Sequence, residues 1–109
     1  MSWKNSAVIG KAGVPVSNTY AASGAIALTD DVALLDGSGG ALAMTLADGY
    51  EGQRMLLVDS GTGNNVVVTP ANFTSGTTAT LNAANELIDV VFVNGGWVVV
   101  ENVGTVVVA

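Results

Sequence analysis

Most of the side chains in this chain that can do chemistry are carboxylates, and their spacing limits what they can do. Asp30, Asp31 and Asp36 are close in sequence and are oxygen donors suited to a hard cation. A calcium site collects about six to eight oxygens, often from a dense acidic loop. Neither the EF-hand spacing nor a Gly-Asp repeat is present, so a solvated loop is expected and no metal is assigned. Glu51, Glu86 and Glu101 would have to supply the pair of a glycosidase. That reaction holds two carboxylates across a sugar-sized cleft, which short strands and loops do not readily build. Histidine and cysteine are absent, which removes the commonest general base, the commonest transition-metal ligand and all thiol chemistry. Ser-Lys or carboxylate catalysis stays formally open, but no catalytic residue and no cofactor is expected.

Two glycine-rich stretches, Gly37-Ser-Gly-Gly40 and Gly61-Thr-Gly63, invite a phosphate-loop reading. Neither matches the dinucleotide fingerprint, and neither opens a helix whose amides would hold a phosphate. Both are expected to be hairpin turns. Asn72-Phe-Thr74 fits a glycosylation pattern, but nothing resembling a secretion signal precedes it, so it is read as chance. Arg54 is the sole cation after residue 11. It is expected to pair with Glu51 or Asp59, or to dock a neighbouring subunit.

The elements that must position these residues are strands. From Gly24 onward, short apolar runs are cut at fairly even intervals by Gly, Asn and Asp turns, the pattern of a β-sandwich or small barrel. Leu42, Met44 and Leu46 alternate with Ala41, Ala43 and Thr45, a period of two. Residues 87–93 and 97–100 flank Asn94-Gly95, a type I′ hairpin signal because both central positions need φ > 0. Residues 81–86 hold one helical turn at most, and residues 105–109 read as a last strand, placed at an edge or paired with a neighbouring subunit. The expected core is Leu42, Met44, Leu46, Leu56, Val58, Val66, Val68, Leu81, Ile88, Val90, Phe92, Trp97 and Val99, with a partner required for the Trp97 indole N–H. Residues 1–23 lack either periodicity and read as an extended N-terminal arm, with one short strand near Ala7-Val-Ile9, ahead of a β domain over residues 24–109. Trp3, Lys4, Lys11 and Tyr20 in the arm, together with Arg54, are the candidate contacts to other subunits.

Composition narrows the partners. Nine acids against three cations give a net charge of -6, which cannot supply the basic face that displaces counterions from phosphates; no nucleic acid is expected. No apolar run approaches the roughly 20 residues of a membrane helix. Charged residues make up 11% and apolar residues 50% of the 109 positions. A domain of this size cannot hide so much apolar area alone; either its surface is largely Ala, Gly, Ser and Thr, neither charged nor strongly greasy, or, the favoured expectation, one face is buried against copies of itself or a partner.

Four segments carry a resemblance in their order and spacing: Met44-Thr-Leu-Ala-Asp-Gly-Tyr-Glu-Gly-Gln53, Val66-Val-Val-Thr-Pro70, Gly76-Thr-Thr-Ala-Thr-Leu81, and Asp89-Val-Val-Phe-Val-Asn-Gly-Gly-Trp97. Together they resemble a module of tailed-bacteriophage structural proteins, the capsid decoration (cement) and head-fibre type. The resemblance implies a small β-sandwich or jelly-roll-like barrel that assembles as a homotrimer. It implies a non-enzymatic virion protein on the outer capsid surface, bridging copies of the major capsid protein and stabilising the shell against internal DNA pressure. The alternative is a head- or tail-fibre module that binds a host surface glycan or protein receptor.

Overall fold

A computed structural model describes residues 14–61 and 63–109. Ten strands are present: β1 (Ser17–Tyr20), β2 (Gly24–Ala25), β3 (Val32–Leu35), β4 (Leu42–Leu46), β5 (Arg54–Asp59), β6 (Val66–Pro70), β7 (Ala79–Leu81), β8 (Leu87–Val93), β9 (Gly96–Val103) and β10 (Val107–Val108). The all-β class is as expected; the architecture is not. The strands form two five-stranded sheets, ordered β1-β3-β5-β8-β9 and β10-β7-β6-β4-β2. These sheets are not closed into a barrel or a sandwich, so the sandwich or jelly-roll expectation is corrected.

The reason lies in what the turns connect. From β1 to β6 each strand enters the opposite sheet from the one before it, so strands two apart in sequence become neighbours. The pairs β1–β3, β3–β5, β2–β4 and β4–β6 are therefore parallel. The glycine-rich stretches beginning at Gly37 and Gly61, expected to be hairpin turns, instead lie where the chain passes from one sheet to the other, between β3 and β4 and between β5 and β6. A Gly, Asn or Asp cluster states that the chain bends, but not whether the next strand pairs with the last. Only after β6 does antiparallel pairing take over, as β6–β7, β5–β8, β8–β9 and β7–β10.

The corners explain the glycines. Asp59 Oδ1 accepts the Gly61 N–H at 3.1 Å, and the Asn64 side-chain amide donates to the Gly37 carbonyl at 2.8 Å. A Cβ on Gly61 would collide with the Asp36 carboxylate and the backbone of Gly37 and Ser38. Gly61 thus lets one corner lie directly on the other.

Both sheets contribute to one core. In β4 the alternation holds, with Leu42, Met44 and Leu46 buried and Ala43 and Thr45 exposed. In β5 the phase is the reverse of that expected: Met55 and Leu57 are buried, whereas Leu56 and Val58 are half-buried. The register decides this. Met55 lies opposite Val90 and Leu57 opposite Ile88, and opposed residues share a face, so the inward Ile88 and Val90 turn Met55 and Leu57 inward. Val99 is half-buried and packs against the core, close to the register shift at Asp89/Val90. Ile26, Ala33, Leu35 and Ala79 complete the core.

The β8–β9 hairpin is as read. Asn94 and Gly95 both have positive φ, 53° and 83°. Trp97 is fully buried, packs edge-on against Phe92 with ring centroids 5.3 Å apart, and donates its indole N–H to the Ala47 carbonyl at 2.9 Å. Residues 82–86 form a turn with Asn85 at φ 71°, without helix.

Candidate functional site

The connections β2–β3 and β4–β5 both carry the chain from the second sheet to the first. Together with Val16 they line a shallow cleft of about 360 Å³. Its apolar part is Val16, Leu28 and the Tyr50 ring; Thr29, Asp31, Gln53 and Arg54 are its polar part. Tyr50 is 71% exposed and Leu28 37%, whereas Gln53 is buried.

Gln53 holds the cleft floor together. Its amide donates to the Leu28 carbonyl at 2.7 Å and its carbonyl oxygen accepts the Tyr50 N–H at 3.1 Å. One side chain therefore ties the two connections to each other. Asp31 accepts the Val16 N–H at 2.7 Å, which fixes the strand leading into β1. Arg54 pairs with Asp89 at 2.6 Å, across the β5–β8 ladder, and not with Glu51 or Asp59. More than half of the Arg54 side chain stays exposed, so the ion pair is screened and contributes little to stability. What the pair does is hold the guanidinium at the cleft edge.

Most of the other carboxylates are spent internally. Glu51 accepts the Asn94 N–H at 2.6 Å and so caps the hairpin turn. Glu86 accepts from the Asn82 and Ala83 amides and from both the N–H and the hydroxyl of Thr105. The Thr105 hydroxyl first, and then these amides, hold its carboxyl below the usual value. Asp36 accepts the Ser38 N–H at 3.0 Å, and its carboxyl is lowered by bonds from the Ser38 side chain and backbone. Asp48 receives the Asn72 amide on both oxygens at 2.9 Å. Among the described residues no group of three or more acids is placed to hold a metal ion.

Of the five candidate contacts, Trp3, Lys4 and Lys11 lie outside the described residues, as does the strand expected near Ala7-Val-Ile9. Arg54 is at the cleft. Tyr20 is tied into the fold at the end of β1. Its hydroxyl donates to Asp30 at 2.5 Å and accepts the Ala27 N–H at 3.0 Å, while the Asn18 amide donates to the other Asp30 oxygen. Burial first, then the bond to Asp30, raises the Tyr20 phenol above its ordinary 10.0. Both oxygens of the buried Asp30 are thereby occupied. The cleft residues Val16, Leu28, Thr29, Tyr50 and Gln53 are not among the candidate contacts expected from the sequence. The one signal available for them was Tyr50, an aromatic inside the turn Asp48-Gly-Tyr-Glu-Gly52.

No protein-family model matches this chain, and no curated protein matches it.

Proposed function

We propose that this chain is a non-enzymatic structural protein of a phage particle: a decoration protein that binds the outside of the head, contacts the major capsid protein and acts as a homotrimer. The observation that carries this reading is the way the described polar groups are used. Glu51, Glu86, Asp30, Asp36 and Asp48 each cap a turn or join two segments. What faces solvent at the cleft is an aromatic and aliphatic surface with one guanidinium at its edge, the composition of a contact surface. Neither nucleic acid nor membrane is part of the proposal. The net charge of -6 opposes the first, and among the described residues no helix is long and apolar enough to cross a membrane.

A second reading, a fibre module that binds a host glycan, is favoured by the exposed Tyr50 ring lying beside Arg54 and Asp31. An aromatic face with a few convergent polar groups suits a sugar ring. Quantitative mass spectrometry of purified particles separates the readings. A copy number near that of the major capsid protein supports decoration. A far lower number, with a saturable glycan-array signal lost in Y50A, supports the fibre reading. Absence from particles overturns both.

A further inference from the structure

Parallel pairing brings three segments to one end of the first sheet. Ser17 lies opposite Val32, and Val32 opposite Leu56, so the residues ahead of β1, β3 and β5 all leave the sheet there. The pairing continues one residue beyond β1. The Val16 carbonyl accepts the Asp31 and Val32 N–H groups at 2.8 and 3.0 Å, and the Val16 N–H donates to the Asp31 carboxylate at 2.7 Å. Val16 is also part of the cleft lining. The chain ahead of it therefore departs from the cleft rim.

The cleft and that chain complement each other. Among the described residues seven large apolar side chains are exposed; Val16, Leu28 and Tyr50 line this cleft, and Val14 stands two residues before Val16. Residues 14–109 carry all nine acids, Asp31 of the cleft among them, and one cation, Arg54. Residues 1–13 carry Lys4 and Lys11, no acid, and the apolar run Ala7-Val-Ile9. The seven residues from Ile9 to Val16 span up to about 23 Å when extended, slack enough to turn back across a cleft that Val16 itself lines, and Gly10 and Gly13 lie at the place of the bend.

We propose that the arm of this chain docks in its own cleft, with Val8 and Ile9 on the Leu28 and Tyr50 surface and Lys11 on the Asp31 side. Burial of the two aliphatic side chains supplies the attraction, and the acidic body draws in a basic segment. A short tether holds the arm at an effective concentration in the millimolar range, so the chain's own arm occupies the cleft ahead of a second copy's arm. The inference does not depend on the phage-particle reading. It adds that a protein or a sugar ring reaching Tyr50 must first displace the arm.

The test uses the full chain. It contains no cysteine, so an introduced pair can join only with itself. Thr29 is exposed in the cleft, and Ala84 is exposed in the turn that enters β8 at the opposite end of the first sheet. Under a mild oxidant A7C/T29C should form a disulfide within one chain roughly tenfold or more faster than A7C/A84C. Adding V8D/I9D to A7C/T29C should bring its rate down to that of A7C/A84C, with the circular dichroism unchanged. Equal rates for the two pairs, or a rate that V8D/I9D leaves unaltered, would overturn the docking. A disulfide that joins two chains would overturn it in favour of arm exchange between copies. The trap reads soluble protein and needs no particle, so its failure and that of the virion reading are told apart.

Discussion

Three buried carboxylates show how one functional group is handled by three environments. Asp30 has both oxygens filled by Asn18 and Tyr20. Glu86 collects hydrogen bonds from three residues, and its carboxyl is lowered by them. Asp59 is equally buried, but burial dominates and raises its carboxyl above the ordinary 3.8; the charges of Glu86 and Asp36 push the same way, and the Gly61 N–H opposes them. The signs of the pH dependence follow. For Asp59 the folded state binds the proton more tightly than the unfolded chain does, so its contribution improves as pH falls from neutrality towards 3.8. For Glu86 the contribution is present above its ordinary 4.5 and is lost as pH falls through the lowered folded value. D59N keeps an oxygen for Gly61 and removes the charge. It should melt higher than wild type at pH 7, and the gap should close as pH approaches 3.8. Thermal denaturation of the two proteins between these limits checks it, and a D59N that melts lower throughout would contradict the account.

At the scale of the element, β5 is the informative case. Its central residues, 55–58, are all apolar, so a period of two has no polar position to anchor its phase. Pairing with β8 supplies the missing information by placing Met55 and Leu57 opposite Val90 and Ile88. In contrast, β4 carries alternating small and large residues and β8 carries Asp89 on its outer face, and both faces could be read from sequence. The distinction has a measurable size. L57A empties a fully buried site and should cost about 3 kcal/mol. L56A, on the half-buried face, should cost less than about 1 kcal/mol. Urea denaturation of both variants decides which leucine faces the core, and a reversed order would reverse the strand.

For the whole molecule, the alternation of strands between sheets sets where stability is concentrated. The parallel pairs join residues far apart in sequence, such as Val32 with Leu56 and Met44 with Val68, so in this part of the chain each strand is held by the strand two along and not by the next one. Strands with partners on both sides lie at the sheet centres, and the short strands β1, β2 and β10 lie at the edges. Amide exchange should therefore be slowest in β5, β8 and β6 and fastest in β2 and β10. Uniform protection across both sheets would show that the molecule opens only as a unit. The same topology piles the connections from second sheet to first at one corner, which is how Leu28 comes to share a cleft with Tyr50 and Gln53 of a connection distant in sequence.

The amino-acid sequence by itself determined the all-β class, the Asn94-Gly95 turn, the inward faces of β4 and β8, and the need of Trp97 for a partner. Each of these rests on a short window, where periodicity or the φ of one or two residues is enough. Tertiary structure alone decided that the glycine-rich stretches beginning at Gly37 and Gly61 link strands of different sheets, that Leu57 and not Leu56 is inside, that Arg54 pairs with Asp89, and that Tyr20 is tied to Asp30. All of these depend on which strand lies beside which. A turn sequence encodes a change of direction, whereas the choice of neighbour is made by burying both sheets' inner faces in one core. That choice is a sum over the chain, and no local window contains it.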